Sequence, residues 1–241
     1  MKVRIEYEYD ARYDPPYWAK SEGRYRQGHS FEEARDSMNE IMDELKILPD
    51  DLGGSYGAKK VIWQDRYWIY KTVRPRLEFT AYEIYKTIEP MKKGHWYVPE
   101  TCLTPDRSAS LQAFVAEAVT GMGLGGTHNV KIDPVTAAEI TAFDFLIGQS
   151  DRHTSNYMID LAGQVVLIDH GNAFSQWLVK EFRHYLEPGY IVDWTLATRD
   201  VEAVIPEKEF DWCAIDLQTE LRSRLKQLAN TPVDKVEYTI P

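Results

Sequence analysis

The chain has 241 residues, of which 44% are hydrophobic and 27% charged, which suits one large folded domain or two small ones. Its formal net charge of −10 argues against general binding to nucleic acid or to an anionic membrane, since both depend on clustered Lys and Arg. No window approaches about 18 uninterrupted apolar residues, and the start of the chain lacks the apolar core of a signal peptide, so we expect a cytoplasmic protein.

The first 48 residues are predicted to form a separate β-β-β-α module. The segment "KVRIEYEY" alternates apolar and polar residues as a strand does, and two further short strands follow it. Ser30 has Glu33 three residues on, a capping-box pattern that predicts a helix over "FEEARDSMNEIMDELKI". A unit this small buries little surface, so we expect it to rest on the remainder of the chain or on a partner.

Residues 49–241 are predicted to form an α+β domain of two lobes with a cleft between them. The small lobe, about 49–116, should be sheet-rich, with strands over 58–64, 66–72, 97–103 and 111–118 and a helix over 78–88. The large lobe, about 117–241, should be helix-rich, with a helix from 134 to Gly148, a hairpin over 156–169 and a mostly helical tail.

Three polar residues around the predicted hairpin have the spacing of a phosphoryl-transfer site. Asp151 and Asn156 are five residues apart directly after a helix, a spacing in which the Asp accepts a hydroxyl proton and the Asn holds magnesium. Asp169 ends the apolar strand "VVLI", where a second metal-binding oxygen is expected. Each residue alone would be read as a turn residue or a strand-end cap. The combination predicts a magnesium site.

Phosphoryl transfer by kinases also needs a lysine in the small lobe. This lysine holds the phosphates of the nucleotide and is paired with a glutamate on the next helix. Lys71 closes the strand "YWIYK", and Glu78 opens the following helix, with Glu83 as the rival partner. The glycine-rich stretch "LGGSYGAKK" precedes these strands, and Gly54, Ser55 and Gly57 are its candidate phosphate contacts, because backbone amides there could approach closely. The stretch lacks the P-loop pattern, and an interdomain linker is the alternative interpretation.

The segment "FDFLIGQSDRHTSNYMID…LIDHGNAF" resembles the catalytic core of phosphatidylinositol 3- and 4-kinase-like enzymes, a group that includes small bacterial kinases and HipA-type toxin kinases. Its signature is a D-R-H-x-x-N loop followed by a strand that ends I-D-x-G. The resemblance covers about residues 52–174 and implies a two-lobed protein-kinase-like fold that uses ATP and magnesium. It implies the following roles: Asp151 as base, Asn156 and Asp169 as metal ligands, Lys71 on the phosphates, and a hinge at Gln112, Phe114 and Val115 whose backbone reads adenine.

Two residues depart from the family pattern. Gln149 stands where many relatives carry Asn, and His170 stands where eukaryotic kinases carry Phe. Neither change removes a metal ligand, so we expect both to adjust the properties of the site and not to abolish its function. Arg152 and His153 belong to the signature, and we expect them to brace the loop.

The amino-terminal segment "YWAKSEGRYRQGHSFEEARDSMNEIMDEL" resembles HicB-type antitoxin domains. The resemblance implies a protein-binding or toxin-neutralising module without catalysis. The alternative is an extra sheet that caps the small lobe.

Three functional hypotheses remain open from the sequence. The first is an active kinase with a protein Ser/Thr acceptor, since an acidic chain without a basic amphipathic helix suits a lipid acceptor poorly. The second is a pseudokinase or nucleotide-sensing binding module, and the third is a component of a toxin–antitoxin system.

Overall fold

The computed structural model describes residues 46–51, 58–63, 65–104, 107–125, 131–174, 181–204 and 217–236. The chain divides into two compact units, whose described residues fall within 46–79 and 99–116 for the first and 80–98 and 117–236 for the second. The predicted antitoxin-like module lies outside the described residues apart from its last three, and the candidate phosphate contacts Gly54, Ser55 and Gly57 lie outside them too.

The first unit contains a five-stranded sheet in the order β1-β2-β3-β6-β5, and every neighbouring pair is antiparallel. Its strands are β1 (Lys46–Asp51), β2 (Lys59–Trp63), β3 (Arg66–Lys71), β5 (Thr101–Leu103) and β6 (Ser110–Ala113). The predicted strands at 58–64 and 66–72 are confirmed as a hairpin. The expectation that residues 46 and 47 end a helix is wrong, because β1 spans these positions and pairs with β2. The predicted domain boundary at residue 48 stays a prediction.

Side chains alternate between the two faces of this sheet, as the pleat of a strand requires. One face is an apolar cluster in which six side chains are at most 4% exposed. These residues are Val61, Trp63, Trp68, Cys102, Leu111 and Ala113. The other face carries Lys60, Ile69, Lys71 and Gln112, as the strand register places them together. The apolar cluster and the two lysines Lys60 and Lys71 thus lie on opposite faces of the sheet.

The helix α1 (Pro75–Ile88) begins three residues before its predicted start. Proline suits the first turn of a helix, since its fixed φ is helical and its missing N–H would have no partner there. Leu77 donates its N–H to the carbonyl of Arg74, which closes this first turn. Glu78 remains in the first turn of the helix, seven residues after Lys71.

The second unit contains a four-stranded sheet in the order β4-β9-β8-β7. Its strands are β4 (Trp96–Tyr97), β7 (Val119–Thr120), β8 (Tyr157–Ile159) and β9 (Val165–Leu167), with β4 and β9 parallel. The hairpin expected over 156–169 is confirmed as β8 and β9. The single strand expected over 97–103 is wrong: Pro99 has no N–H to donate to a ladder, and the segment forms β4 and β5 in two different sheets.

Three helices complete the described part of this unit: α2 (Pro134–Ile147), α3 (Thr198–Val204) and α4 (Leu217–Asn230). Short 3₁₀ segments also occur in it, among them Glu181–Tyr185 in the predicted helical tail. Helix α4 is joined to the end of α2 because the Arg224 guanidinium donates to the carbonyls of Phe145 and Leu146, at 3.2 and 3.1 Å. None of the described helices is long and apolar enough to cross a membrane.

Helix α2 is buried along almost its whole length, and it leads directly into the loop that contains Asp151. Asp133 caps its amino terminus by accepting a hydrogen bond from the Thr136 N–H at 2.9 Å. Gly148 ends it at a φ of 61°, in the left-handed region that glycine adopts without strain. The predicted end of this helix is confirmed, and its position fixes where the loop begins.

Replacing Asp133 with Ala should cost about 1 kcal/mol of unfolding free energy at neutral pH, because the cap is lost. Burial acts to raise the pKa of Asp133, but hydrogen bonds from Thr136 outweigh it and hold this pKa below its usual value. The stabilisation is therefore present above the ordinary Asp pKa and is lost as the pH falls through the depressed one. Urea unfolding at several pH values measures it, with Asp133→Asn as a capping control that does not titrate. An Ala variant as stable as the wild type at pH 7 would contradict the role of the cap.

Candidate active site

Lys71 and Glu78 form a close ion pair in the first unit. Lys71 is the last residue of β3 and Glu78 lies in the first turn of α1, and the short connection between them brings Nζ within 2.8 Å of Oε1. The Glu78 side chain is 2% exposed and that of Lys71 is 15% exposed. The rival Glu83 lies 3.8 Å from Lys86 on its own helix. The predicted pairing of Lys71 with Glu78 is present, and its role toward phosphates stays a prediction.

Replacing Glu78 with Gln should weaken ATP binding about three- to tenfold, because the Lys71 ammonium would have to be ordered anew when the nucleotide binds. Isothermal titration with ATP and magnesium measures this change. Glu83→Gln is the matched control on the same helix and should alter the dissociation constant less than twofold. A larger effect from Glu83 than from Glu78 would transfer the partner role to Glu83.

Some backbone groups of the predicted hinge already form hydrogen bonds within the sheet. Gln112 lies inside β6, opposite Ile69 on one side and Thr101 on the other, and its Nε2 donates to Thr101 Oγ1 at 3.3 Å. The Phe114 N–H already donates to the Tyr67 carbonyl at 3.1 Å, and recognition of adenine by the hinge backbone stays a prediction. The Val115 N–H donates to no described residue, so it can still donate to a ligand.

In the second unit, the loop after α2 holds Asp151 with a half-exposed carboxylate, whose side chain is 44% exposed. Asn172 donates from Nδ2 to one oxygen of this carboxylate at 2.9 Å. The other oxygen lies 3.8 Å from Nε2 of His153. One oxygen of Asp151 is therefore held by an amide, which orients the carboxylate as a proton acceptor requires.

Asn156 and Asp169, the predicted metal ligands, are brought together by backbone contacts. The Ile168 N–H donates to the Asn156 carbonyl at 3.2 Å, and Ile168 directly precedes Asp169. Asp169 adopts a φ of 59°, a left-handed conformation that Asp tolerates better than most residues. Nδ2 of Asn156 donates to the Asp151 carbonyl at 2.7 Å, which leaves the amide oxygen as the ligand atom.

These residues fit magnesium by the chemistry of their donor atoms. Magnesium takes hard oxygen ligands, keeps several waters and completes its shell with phosphate oxygens, so one carboxylate and one amide oxygen suffice. Among the described residues, no group of three or more His, Cys, Asp and Glu side chains could hold a metal ion.

Gln149 joins the two loops that carry Asp151 and Asp169. It is fully buried, donates from Nε2 to the Asp169 carbonyl at 3.0 Å, and accepts from the Asp151 N–H at 3.4 Å. Ser150 adds a hydrogen bond from its hydroxyl to the Asn172 carbonyl at 3.0 Å. The side-chain amide of Gln149 thus fixes the spacing between the backbones at Asp151 and Asp169.

The Arg152 side chain is buried and holds the loop that contains Asp151 in place, as the sequence predicts. Its guanidinium pairs with the carboxylate of Asp144 in α2 at 3.0 Å and donates to the carbonyls of Asn156 and Ile168, at 2.5 and 2.8 Å. Burial raises the pKa of Asp144, and the Arg152 guanidinium opposes this shift. His153, in contrast, is half exposed and accepts the Ser155 N–H at Nδ1.

Three contributors to this site were not predicted from the sequence. Asn172 follows Asp169 by three residues, and its amide gave no motif signal. Gln149 was noted only as a departure from the pattern. Asp144 could have been found, because an acidic residue in the middle of the apolar run "AFDFLI" requires a buried partner.

The structure therefore assembles the predicted residues in two groups. Lys71 and Glu78 belong to the first unit, and Asp151, Asn156 and Asp169 belong to the second.

Comparison with known proteins bears on the fold. No family model matches the chain, and no curated protein sequence matches it. Among solved structures, the chain is similar to the crystal structure of the Helicobacter pylori proinflammatory kinase CtkA, at 16% identity and a TM-score of 0.50. The similarity covers 79% of this chain and 94% of that one. At this identity it concerns the fold alone, and the chain accordingly has a mixed α+β, kinase-like fold.

Proposed function

We propose that this protein is a kinase that transfers the γ-phosphoryl group of ATP, with magnesium, to a hydroxyl acceptor. The observation that carries the proposal is the partly buried ion pair of Lys71 and Glu78 at 2.8 Å, a pair that phosphoryl transfer in kinases requires. The oriented carboxylate of Asp151 and the oxygen ligands Asn156 and Asp169 support it independently.

In the proposed reaction the acceptor hydroxyl oxygen forms a bond to the γ-phosphorus as the bond from that phosphorus to the β–γ bridging oxygen breaks. The products are the phosphorylated acceptor and ADP. Asp151 accepts the hydroxyl proton, and Asn172 holds the carboxylate in place through one oxygen. Magnesium, when bound by Asn156 and Asp169, would neutralise charge on the phosphate oxygens.

The acceptor we propose is a Ser or Thr of a protein, including the chain itself, and the group we propose is the phosphatidylinositol 3- and 4-kinase-like one. The motif "DRHTSN…LIDHG" supports the group, and the net charge of −10 favours a protein acceptor over a membrane lipid. A protein partner for the amino-terminal module belongs to the same proposal.

The test is to incubate the protein with magnesium and γ-labelled ATP, beside Asp169→Ala. We expect label on protein or in free phosphate with the wild type, and none with the variant. If no label is transferred but ATP raises the melting temperature of the wild type, we would conclude that the protein is a nucleotide-binding pseudokinase and not an active kinase. Neither label nor a rise in melting temperature would overturn the proposal altogether.

A further inference from the structure

Lys60, in β2, has an unusual environment for a lysine. The residue is 9% exposed, and its ammonium lies over two aromatic rings, 4.5 Å from the centroid of Tyr67 and 4.1 Å from that of Phe114. Within the part of the chain that the structure describes, it forms no ion pair with a carboxylate. The ammonium nitrogen keeps some contact with solvent, and the two rings hold it in position. It can therefore donate to a ligand that reaches this face of the sheet.

Lys60 lies on the same sheet face as Lys71. Its partner in β3 is Ile69, two residues before Lys71, so the two side chains emerge on one face with α-carbons about 8 Å apart. Their ammonium groups lie toward opposite ends of this face. That of Lys71 contacts Glu78 beyond the end of β3, whereas that of Lys60 lies at Tyr67, near the start of β3.

The end occupied by Lys60 is also where the backbone can meet a ligand. Phe114, one of the two rings under the ammonium, directly precedes Val115, whose N–H no described residue accepts. A nucleoside triphosphate has its base and its terminal phosphates at opposite ends. If Lys71 serves the phosphates, the Lys60 end of the face corresponds to the nucleoside.

We propose that Lys60 contacts the nucleoside part of the bound nucleotide, donating a hydrogen bond to an acceptor of the base or ribose, while Tyr67 and Phe114 hold its ammonium in position. This inference rests on the proposed kinase function and assigns a nucleotide-recognition role to a second lysine of the sheet. Lys60 is a binding residue in this proposal and takes no part in the transfer of the phosphoryl group.

The test compares Lys60→Met, which retains most of the side-chain volume, with Lys59→Met. Lys59 is the adjacent residue, is exposed and points to the opposite face, so its replacement removes the same charge without touching the rings. Titrations with ATP, adenosine and tripolyphosphate, each with magnesium, separate the two ends of the ligand. The melting temperature of each variant without ligand measures any structural role.

We expect Lys60→Met to raise the dissociation constants for ATP and adenosine by about tenfold, since a charged donor is lost, with tripolyphosphate binding and the melting temperature unchanged. Lys59→Met should change each value less than twofold. A loss of tripolyphosphate affinity with adenosine unaffected would overturn the inference in favour of a phosphate contact. Lower melting temperature with unchanged ATP affinity would also overturn it, leaving Lys60 as a structural residue. A wild type that binds neither ATP nor adenosine would overturn the proposed function, and this inference with it.

Discussion

Replacing Asp151 with Asn should lower the rate of phosphoryl transfer by about 10²- to 10⁴-fold, because an amide cannot accept the hydroxyl proton. The substitution keeps the shape of the side chain, and its amide oxygen can still accept the hydrogen bond that Asn172 donates at 2.9 Å. The Asp151 side chain is 44% exposed, so loss of its charge should leave the melting temperature nearly unchanged.

Initial rates of label transfer from γ-labelled ATP, measured with wild type and variant at matched concentration, give this ratio. Asp200→Asn, an exposed acid-to-amide change in α3, is the control and should retain the wild-type rate. ATP affinity should be the same in all three proteins, since Asp151 is assigned to the acceptor. If Asp151→Asn kept its rate within threefold of the wild type, the proton would have to leave by another route.

Local spacing explains why much of the candidate site could be predicted from the sequence. Asp151 and Asn156 lie in one short loop, so the hydrogen bond from the Asn156 side chain to the Asp151 carbonyl follows from the five-residue separation. Lys71 and Glu78 are seven residues apart across a strand-to-helix connection, a short separation that favours their contact. In both cases few conformations of the intervening chain compete with the observed one.

The contacts that were missed depend on which strands and loops become neighbours. The Phe114 N–H is occupied because β6 pairs with β3, although β4 and β5 lie between them in the chain, and spacing alone does not reveal that order. Asn172 reaches Asp151 across 21 residues, through the hairpin of β8 and β9. Side chains that meet only after the sheet has formed leave no periodic signal in the sequence.

β1 shows tertiary context overriding local preference. Its sequence "KILPDD" contains a proline and two aspartates, residue types that are depleted in strands. β1 lies at the edge of the sheet, where a proline without an N–H is tolerated because only one side of the strand is paired. Edge position is a property of the assembled sheet and could not be read from these six residues.

Replacing Arg152 with Met should be among the most destabilising single changes in the second unit, with a cost of about 3–5 kcal/mol of unfolding free energy. The guanidinium is fully buried, pairs with an Asp144 carboxylate that is 1% exposed, and satisfies the carbonyls of Asn156 and Ile168. A Met fills similar space but leaves a buried charge without its partner. Equilibrium unfolding in urea measures the loss, and Arg183→Met, at an exposed position, should cost less than about 0.5 kcal/mol.

The pH dependence of this loss tests its electrostatic origin. Burial already raises the pKa of Asp144, and without the opposing Arg152 guanidinium that pKa should rise further. A raised pKa means that stability is fully present below the ordinary Asp pKa and is lost as the pH rises through the value in the folded state. The deficit of Arg152→Met should therefore be largest at neutral pH and shrink as the pH falls toward about 4.

The double variant Asp144→Leu/Arg152→Met separates the ion pair from the backbone contacts of Arg152. Removing both charges should recover part of the stability lost in Arg152→Met, because no charge is left buried alone. The recovery should be incomplete, since the carbonyls of Asn156 and Ile168 still lose their donor. A double variant less stable than Arg152→Met, or a deficit independent of pH, would show that Arg152 stabilises the loop through packing and backbone hydrogen bonds alone.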